Sequence, residues 1–245
     1  MKYNKTDFKF IALGRTLIIN FSYKNDEQAF LYIVFLSNIL KVKYESIIDD
    51  VTITFNSINI FFKQEYDLKK IRLDILKTID DREYIPSGQS NKWKLPVCLD
   101  DKFTRDLYIF LNENKKDVDL FLNKFLTLQF RLVFYGFLPG FPYISGLPIE
   151  MAIERKTTPN TLTPKGSLAI GGSQVGIYPQ DSPGGWHVIG NCPVPVIDFS
   201  NENKDYIMPG DQIQFYSITK SEHADVIDSI ETNSEHPYLN LFCYD

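Results

Sequence analysis

The chain of 245 residues is short of the residue types that staple or metallate a fold. Its three cysteines, Cys98, Cys192 and Cys243, are odd in number and widely scattered, which argues against a disulfide framework and for a reducing, cytoplasmic setting. The three histidines, His187, His223 and His236, share no metal-ligand spacing with one another or with the cysteines, so no metal site is expected. Positive charge is also scarce: 26 Lys and Arg stand against 31 Asp and Glu, and the net charge of -5 excludes the basic face that nucleic acid requires. A small anionic ligand is not excluded, because a few local cations suffice for it. The longest apolar run, around Ala29 to Leu36, is too short for a membrane span. The opening MKYNKTDF carries no apolar signal core. With 44% apolar and 23% charged residues, and no internal repeat, the composition is that of a globular protein of one large or two small domains.

The first eighty or so residues alternate short β-prone runs with helical stripes. Phe8–Ala12 and Thr16–Phe21 flank Gly14-Arg15 as a hairpin. Asn25 offers an N-cap for a helix carrying Phe30, Ile33, Val34, Leu36, Ile39 and Leu40, which ends near the cations Lys41 and Lys43. Strands over Ile47–Phe55 and Ser57–Phe62 follow, then a helix capped by Asp67. The order ββαββα predicts a small α/β domain over residues 1–84, closed by the polar DDREYIPSGQSNK with its Pro86-Ser87-Gly88 break. Residues 92–245 read as a second domain. A strand at Trp93–Leu99, helices at Phe103–Leu111 and Asp117–Leu126, and a strand run at Gln129–Phe137 lead into many short strands: Ser167–Ile170, Gln174–Ile177, His187–Ile189, Val194–Asp198 and Gln212–Ile218. A weak helix over Ala224–Ile230 and an aromatic tail, Tyr238–Tyr244, end the chain. The fold class is α+β, with a β-barrel or sandwich in the second domain.

Ten of the 13 prolines and 11 of the 13 glycines lie between Gly136 and Gly210. A linker of that composition would lack large apolar groups, yet Phe137, Phe141, Tyr143, Ile170, Ile177, Tyr178 and Trp186 thread this stretch. Ordered loops on a β core, forming the functional face, are expected. Gly184-Gly185 before Trp186 suits either an anion cradle or a tight turn; no Lys-Ser/Thr pair and no helix follow, so it is not a P-loop. His187 is a candidate general base, Ser182 a nucleophile without a sequence-local base, and Arg155, Lys156 and Lys165 the basic cluster of the region. Each also has an ordinary structural reading. Asp181 and Asp211 read as turn residues that bond their own backbone.

Four segments carry a resemblance: GFLPGFPYISGLP, TPNTLTPKGSLAIGG, GIYPQDSPGGWHVIGNCP and PGDQIQF. In this order they resemble the PxpB/KipI family, the group of B-type 5-oxoprolinase subunits, which is related to allophanate hydrolase subunit 1 and to the carboxyltransferase C and D subdomains of urea carboxylase. The similarity is dense over residues 135–215 and sparser upstream, where it includes Leu95–Val97 and the pair Asp106-Leu107.

The resemblance implies a cyclophilin-like barrel for residues 92–245. It also implies a role as the B component, inactive alone, of an ATP-dependent 5-oxoprolinase complex. Such a complex opens 5-oxoproline to glutamate together with an A component and a KipA-like, barrel-type C component. ATP is then a cofactor of the assembly, no metal is expected in this chain, and neither nucleic acid nor membrane is a partner. Candidate pocket residues are Phe137, Pro139, Arg155, Lys165, Gln174, Tyr178, Ser182, Gly184, Gly185, Trp186 and His187. The chain departs from the family where Phe125 stands for a histidine and where Asn160 and Asn191 stand for arginines, which predicts weaker handling of anions. Two other readings stay open: a KipI-like regulator that inhibits a histidine kinase, and one part of a hydrolase system for a urea-derived amide such as allophanate.

Overall fold

A computed structural model describes residues 8–22, 27–80, 90–113, 117–197 and 206–232. The expected Asn25 cap, the Pro86-Ser87-Gly88 break, Asp198 and the Tyr238–Tyr244 tail lie outside these residues. The chain divides into two compact units, Met1–Gln89 and Ser90–Asp245. No helix among the described residues is long and apolar enough to cross a membrane.

In the first unit, β1 (Phe8–Leu13) and β2 (Thr16–Phe21) form a hairpin about Gly14, whose φ is +53°. Helix α1 (Glu27–Tyr44), strands β3 (Ile48–Ile53) and β4 (Ser57–Phe62) and helix α2 (Leu68–Asp80) follow, and the antiparallel sheet has the order β1-β2-β4-β3. Alternate residues Leu17, Ile19 and Phe21 of β2 and Ile58, Ile60 and Phe62 of β4 share one core with Ile33, Leu36 and Leu40 of α1 and Ile75 and Ile79 of α2. The Asp67 carboxylate caps α2, accepting from the Lys69 and Lys70 amides at 3.1 and 3.3 Å. Asp74 of α2 accepts from the Tyr44 hydroxyl at 2.7 Å and pairs with Lys43 at 2.7 Å, tying the two helices together.

The second unit is a closed barrel of seven strands with helices packed on it. Its elements are β5 (Lys92–Cys98), α3 (Asp101–Glu113), α4 (Val118–Thr127), β6 (Phe130–Tyr135), β7 (Pro142–Ser145), β8 (Asn160–Thr163), β9 (Ser167–Gly171), β10 (Gln174–Ile177), β11 (Ser182–Gly184), β12 (His187–Asn191), β13 (Gln212–Ile218) and α5 (Lys220–Thr232). The barrel order is β10-β7-β6-β13-β5-β12-β9, while β8 and β11 pair by themselves. Leu95, Leu132, Ile144, Leu168, Val175, Ile189 and Phe215, one from each barrel strand, meet in a single core. Such a cluster can only be the barrel interior. Leu107 and Leu111 of α3 and Phe121, Leu122 and Phe125 of α4 join it.

Most barrel pairs are antiparallel, but β5 and β13 run parallel in register from Gln212 opposite Lys92 to Ile218 opposite Cys98. Asp211 fixes the start of this pair. Its carboxylate, 5% exposed, accepts from the Asn91 amide at 3.0 Å, the Met208 amide at 2.9 Å and the Trp93 indole N–H at 3.0 Å. Asp211 is therefore a long-range tie as well as a turn residue. Asp181 likewise reaches across, accepting from the Lys165 amide at 2.7 Å.

Several expectations need correction. The Val194–Asp198 strand is absent as far as the described residues go: Val194 and Val196 are buried, yet they belong to no strand. The proline at 193 and the one at 195 remove the amide donors a ladder requires. β6 ends at Tyr135 rather than Phe137, because Phe137 takes a φ of 66° in the turn to β7. The C-terminal helix starts four residues before the expected Ala224: the Thr219 hydroxyl accepts from the Glu222 amide at 3.3 Å while Glu222 accepts from the Thr219 amide at 2.7 Å, a reciprocal cap.

Opposite to the barrel core, Phe141, Ala169, Tyr178 and Trp186 form a second cluster with Leu138, Tyr143 and Val188 around them. Glycines make its floor. A Cβ on Gly171 would sit 2.5 Å from the Trp186 indole, and one on Gly176 would sit 2.6 Å from Phe141. Gly171→Ala is expected to destabilise the second unit by about 1–3 kcal/mol through overpacking and to shift Trp186 fluorescence in a Trp93→Phe background. Asp211→Ala, which strands three donors, is expected to cost about 3 kcal/mol in urea unfolding, with Asp211→Asn intermediate.

Candidate functional site

The proline- and glycine-rich stretch gathers around the β12–β9–β10 side of the barrel. Cross-strand partners share a face, so Val188, opposite Ala169, belongs to the outer aromatic cluster, whereas His187, opposite Ile170, faces inward. Two neighbouring surfaces result, one aromatic and one polar.

The aromatic surface is built by the turn after β6 and the segment after β11. The Trp186 ring meets Phe141 edge-on at 5.5 Å and Tyr143 at 5.7 Å, and Tyr143 stacks on Phe134 at 4.4 Å. Phe137, 62% exposed, stands edge-on to Phe141 at 5.5 Å, with Pro139 exposed in the same turn. The Arg155 guanidinium lies over the Trp186 ring at 5.7 Å. Gly184 has an ordinary φ and lies within β11, so it is not the tight turn that was one of its two expected uses. It is glycine because a Cβ there would meet the Tyr178 hydroxyl at 2.2 Å. Gln174, half-buried and opposite Gly171, shares the face that carries Trp186.

The polar surface lies where α3 meets the segment after the 3-10 turn Ile149–Met151. Lys156 is anchored by its own backbone, its amide donating to the Gly185 carbonyl at 2.7 Å. Its ammonium is 2.6 Å from Asp106 of α3 and donates to the Asn160 side-chain carbonyl at 3.0 Å. The two charged side chains are only 15% and 22% exposed. Asp106 also accepts from the Val188 amide at 3.2 Å, which locks its carboxylate to β12. His187 packs against Phe110 at 5.1 Å, with its Nδ1 buried and lacking a hydrogen-bond partner among the described residues. Burial pushes the His187 imidazole below the ordinary histidine range. Lys156 pushes the same way, while Asp106 and the backbone carbonyls of residues 106 and 154 oppose. The ring is therefore neutral at neutral pH. Ser182 has a buried hydroxyl without a partner among the described residues, and neither His187 nor His223 is bonded to it.

The predicted residues thus separate. Phe137, Arg155, Gln174, Tyr178, Gly184 and Trp186 share the aromatic surface; Gly185 and His187 border the polar one. Lys165 belongs to a different corner. It is exposed, and its carbonyl accepts from the Asn191 side chain at 3.0 Å. Asn191 is buried and completes that corner through a 2.7 Å bond to His223 Nε2 of α5. Since the Asn191 amide donates to Lys165, its oxygen accepts from the His223 N–H. Asn191 is a structural bridge. Phe125 is fully buried between Phe130 and Phe215, at 4.9 and 5.5 Å, where a histidine would lack water. At Asn160 the charge is relocated rather than lost, because Lys156 brings an ammonium to the same point. Asp106 and Lys156 stand out in the sequence only as part of a similar pair and of a basic cluster; no local pattern joins residues fifty apart.

Among the described residues no group of three or more His, Cys, Asp or Glu side chains gathers as a metal site would require. Cys98 and Cys192 are buried free thiols, and burial pushes the Cys192 thiol up to about 12, leaving it protonated and inert.

Comparison with known proteins fits this architecture. The family described as carboxyltransferase domain, subdomain C and D, matches residues 10–207, which include both surfaces. The chain is 27% identical over 175 residues to the B-type 5-oxoprolinase subunit of Haemophilus influenzae, covering 71% of this chain and 82% of that protein. It is 38% identical over 89 residues to the Escherichia coli O157:H7 protein of the same name, covering 36% and 41%, and 29% identical over 130 residues to that of Bacillus subtilis, covering 53% and 54%. The matches thus span less than two thirds of the length of the Escherichia coli and Bacillus subtilis relatives. Among solved structures, TTHA0988 aligns with a TM-score of 0.70 at 23% identity, over 84% of this chain and 40% of that one. The Kluyveromyces lactis urea carboxylase aligns at 0.71 and 18%, over 91% and 23%, and at these identities both show the fold alone. With a family match running through both units and through every loop of the two surfaces, this chain belongs to the carboxyltransferase subdomain C and D family.

Proposed function

We propose that this chain is the B component of an ATP-dependent 5-oxoprolinase, which with an A and a C component opens the lactam of 5-oxoproline to glutamate. The observation that carries the reading is the match to the B-type 5-oxoprolinase subunit of Haemophilus influenzae over 82% of that protein. The closed seven-stranded barrel supports a cyclophilin-like second domain. A lactam carbonyl is a poor electrophile, and its opening calls for donors that hold charge developing on oxygen. Lys156 and Arg155 are the cations this chain sets beside the Gly184–Trp186 segment.

The Gly184-Gly185 segment does not have the build of a phosphate-binding glycine loop. Gly184 lies in a strand with its free side filled by Tyr178, and among the described residues no helix N-terminus follows directly to receive a phosphate. ATP is accordingly a cofactor of the complex as a whole, and this chain's part is to hold the amide substrate and its partner.

The chain mixed with homologues of the A and C components is expected to release glutamate from 5-oxoproline only when ATP and all three proteins are present. Absence of turnover with partners that work with their own B component rejects the reading, as does turnover on allophanate in place of 5-oxoproline. In the active mixture Arg155→Ala is expected to lower kcat/KM about tenfold, the loss of one charge-assisted contact. Lys165→Ala, whose backbone is engaged and whose ammonium has no partner among the described residues, is expected to stay within about twofold.

A further inference from the structure

Lys156 has features that a purely structural ion pair does not need. A lysine ammonium carries three N–H donors. Two are spent, on Asp106 at 2.6 Å and Asn160 at 3.0 Å, and both acceptors are themselves held by the fold. Asp106 is bonded to the Val188 amide at 3.2 Å, and Asn160 lies in β8 opposite Gly184. The four-carbon stem thereby loses its usual freedom, and the third N–H points in one fixed direction. At 15% exposure it is shielded from bulk water but not sealed from it. Beside it stands the neutral His187 ring with Phe110 behind, so the surroundings are weakly polar and a hydrogen bond formed there is stronger than one in water. An immobilised cationic donor, charge-balanced by one carboxylate and still lacking one acceptor among the described residues, is complementary to a neutral carbonyl oxygen that gains negative charge during reaction. It is poorly matched to a phosphate, which the adjacent Asp106 repels.

We infer that the third N–H of Lys156 is the point at which this chain binds the carbonyl oxygen of a small amide, with Asp106 and Asn160 as positioning residues. The inference rests on the amide-opening reading above and gives it an atom. No bond is made or broken by Lys156; it donates one hydrogen bond that strengthens as the carbonyl π pair moves onto oxygen.

Two measurements test it. In the reconstituted mixture, Lys156→Gln is expected to lower kcat at least 100-fold with a small change in KM, the size of losing one oxyanion donor, and Lys156→Arg to recover part of it. Asp106→Asn keeps the ammonium but loosens it, and is expected to raise KM more than it lowers kcat. The double variant Lys156→Met with Asp106→Asn removes both charges while an amide oxygen at position 106 still accepts from the Val188 amide, a change that tends to preserve stability. It is expected to melt like the parent and to be inactive. Wild-type turnover by that double variant overturns the assignment and leaves the 5-oxoprolinase reading standing. Independently, 5-oxoproline and acetamide are titrated into the full-length 15N-labelled chain while the Lys156 ammonium resonance is followed. A saturable shift with both, lost in Asp106→Asn, is expected. A resonance unmoved by either compound overturns the assignment, whatever the turnover assay gives. A shift with acetamide in a chain whose complex is inert to 5-oxoproline rejects that substrate and retains the carbonyl subsite.

Discussion

The second unit depends on closing its barrel through two strands that are more than a hundred residues apart. Parallel pairing between β5 and β13 cannot be made by a turn; it needs a long crossover, and here the crossover is the rest of the barrel. The register of seven residue pairs is set at its beginning, where the buried Asp211 carboxylate collects the Asn91 and Met208 amides and the Trp93 indole. Slipping β13 by one residue against β5 would turn Ile213 and Phe215 out of the core. Three donors on one carboxylate forbid it, since each would be left unpaired in a buried place.

Closure also explains why both candidate surfaces gather on the β12–β9–β10 side of the barrel. A closed barrel has no free sheet edge, so variable backbone has to lie in the loops and on the outer face. Glycines at 171 and 176 let the Trp186 and Phe141 rings settle directly on the strands, and Gly184 lets the Tyr178 hydroxyl approach β11. The tryptophan so placed fixes the chain direction at residues 184–187, and that direction presents the Gly185 carbonyl to Lys156 and the His187 ring to Phe110. Packing on one face thus positions polar chemistry on the other.

Much of this was readable from residues. The hairpin around Gly14, the capping Asp67 and the 167–177 hairpin follow local rules, because each element supplies its own signal within a few positions. The four short motifs marked the functional stretch for the same reason: prolines and glycines punctuate, and aromatics among them have to pack. Strands β7, β8 and β11 gave no such signal. They have three or four residues each, carry proline, glycine or asparagine, and pair only because neighbouring strands hold them in place. Gly184 stands out in the sequence without its cause, since sequence shows that a Cβ is missing and not that the Tyr178 hydroxyl fills its place.

The sequence by itself determined the alternation of elements, the location of the loop-rich face and the family likeness, all of which are encoded in spacings of a few residues. The tertiary structure alone decided the parallel closure of the barrel, the structural part played by Phe125 and Asn191, and the meeting of Lys156 with Asp106. The reason is physical. Periodicity and turn chemistry act along the chain, whereas charge pairing, burial and steric fit act through space. Only the folded barrel brings positions 106, 156, 160 and 187 within reach of one another.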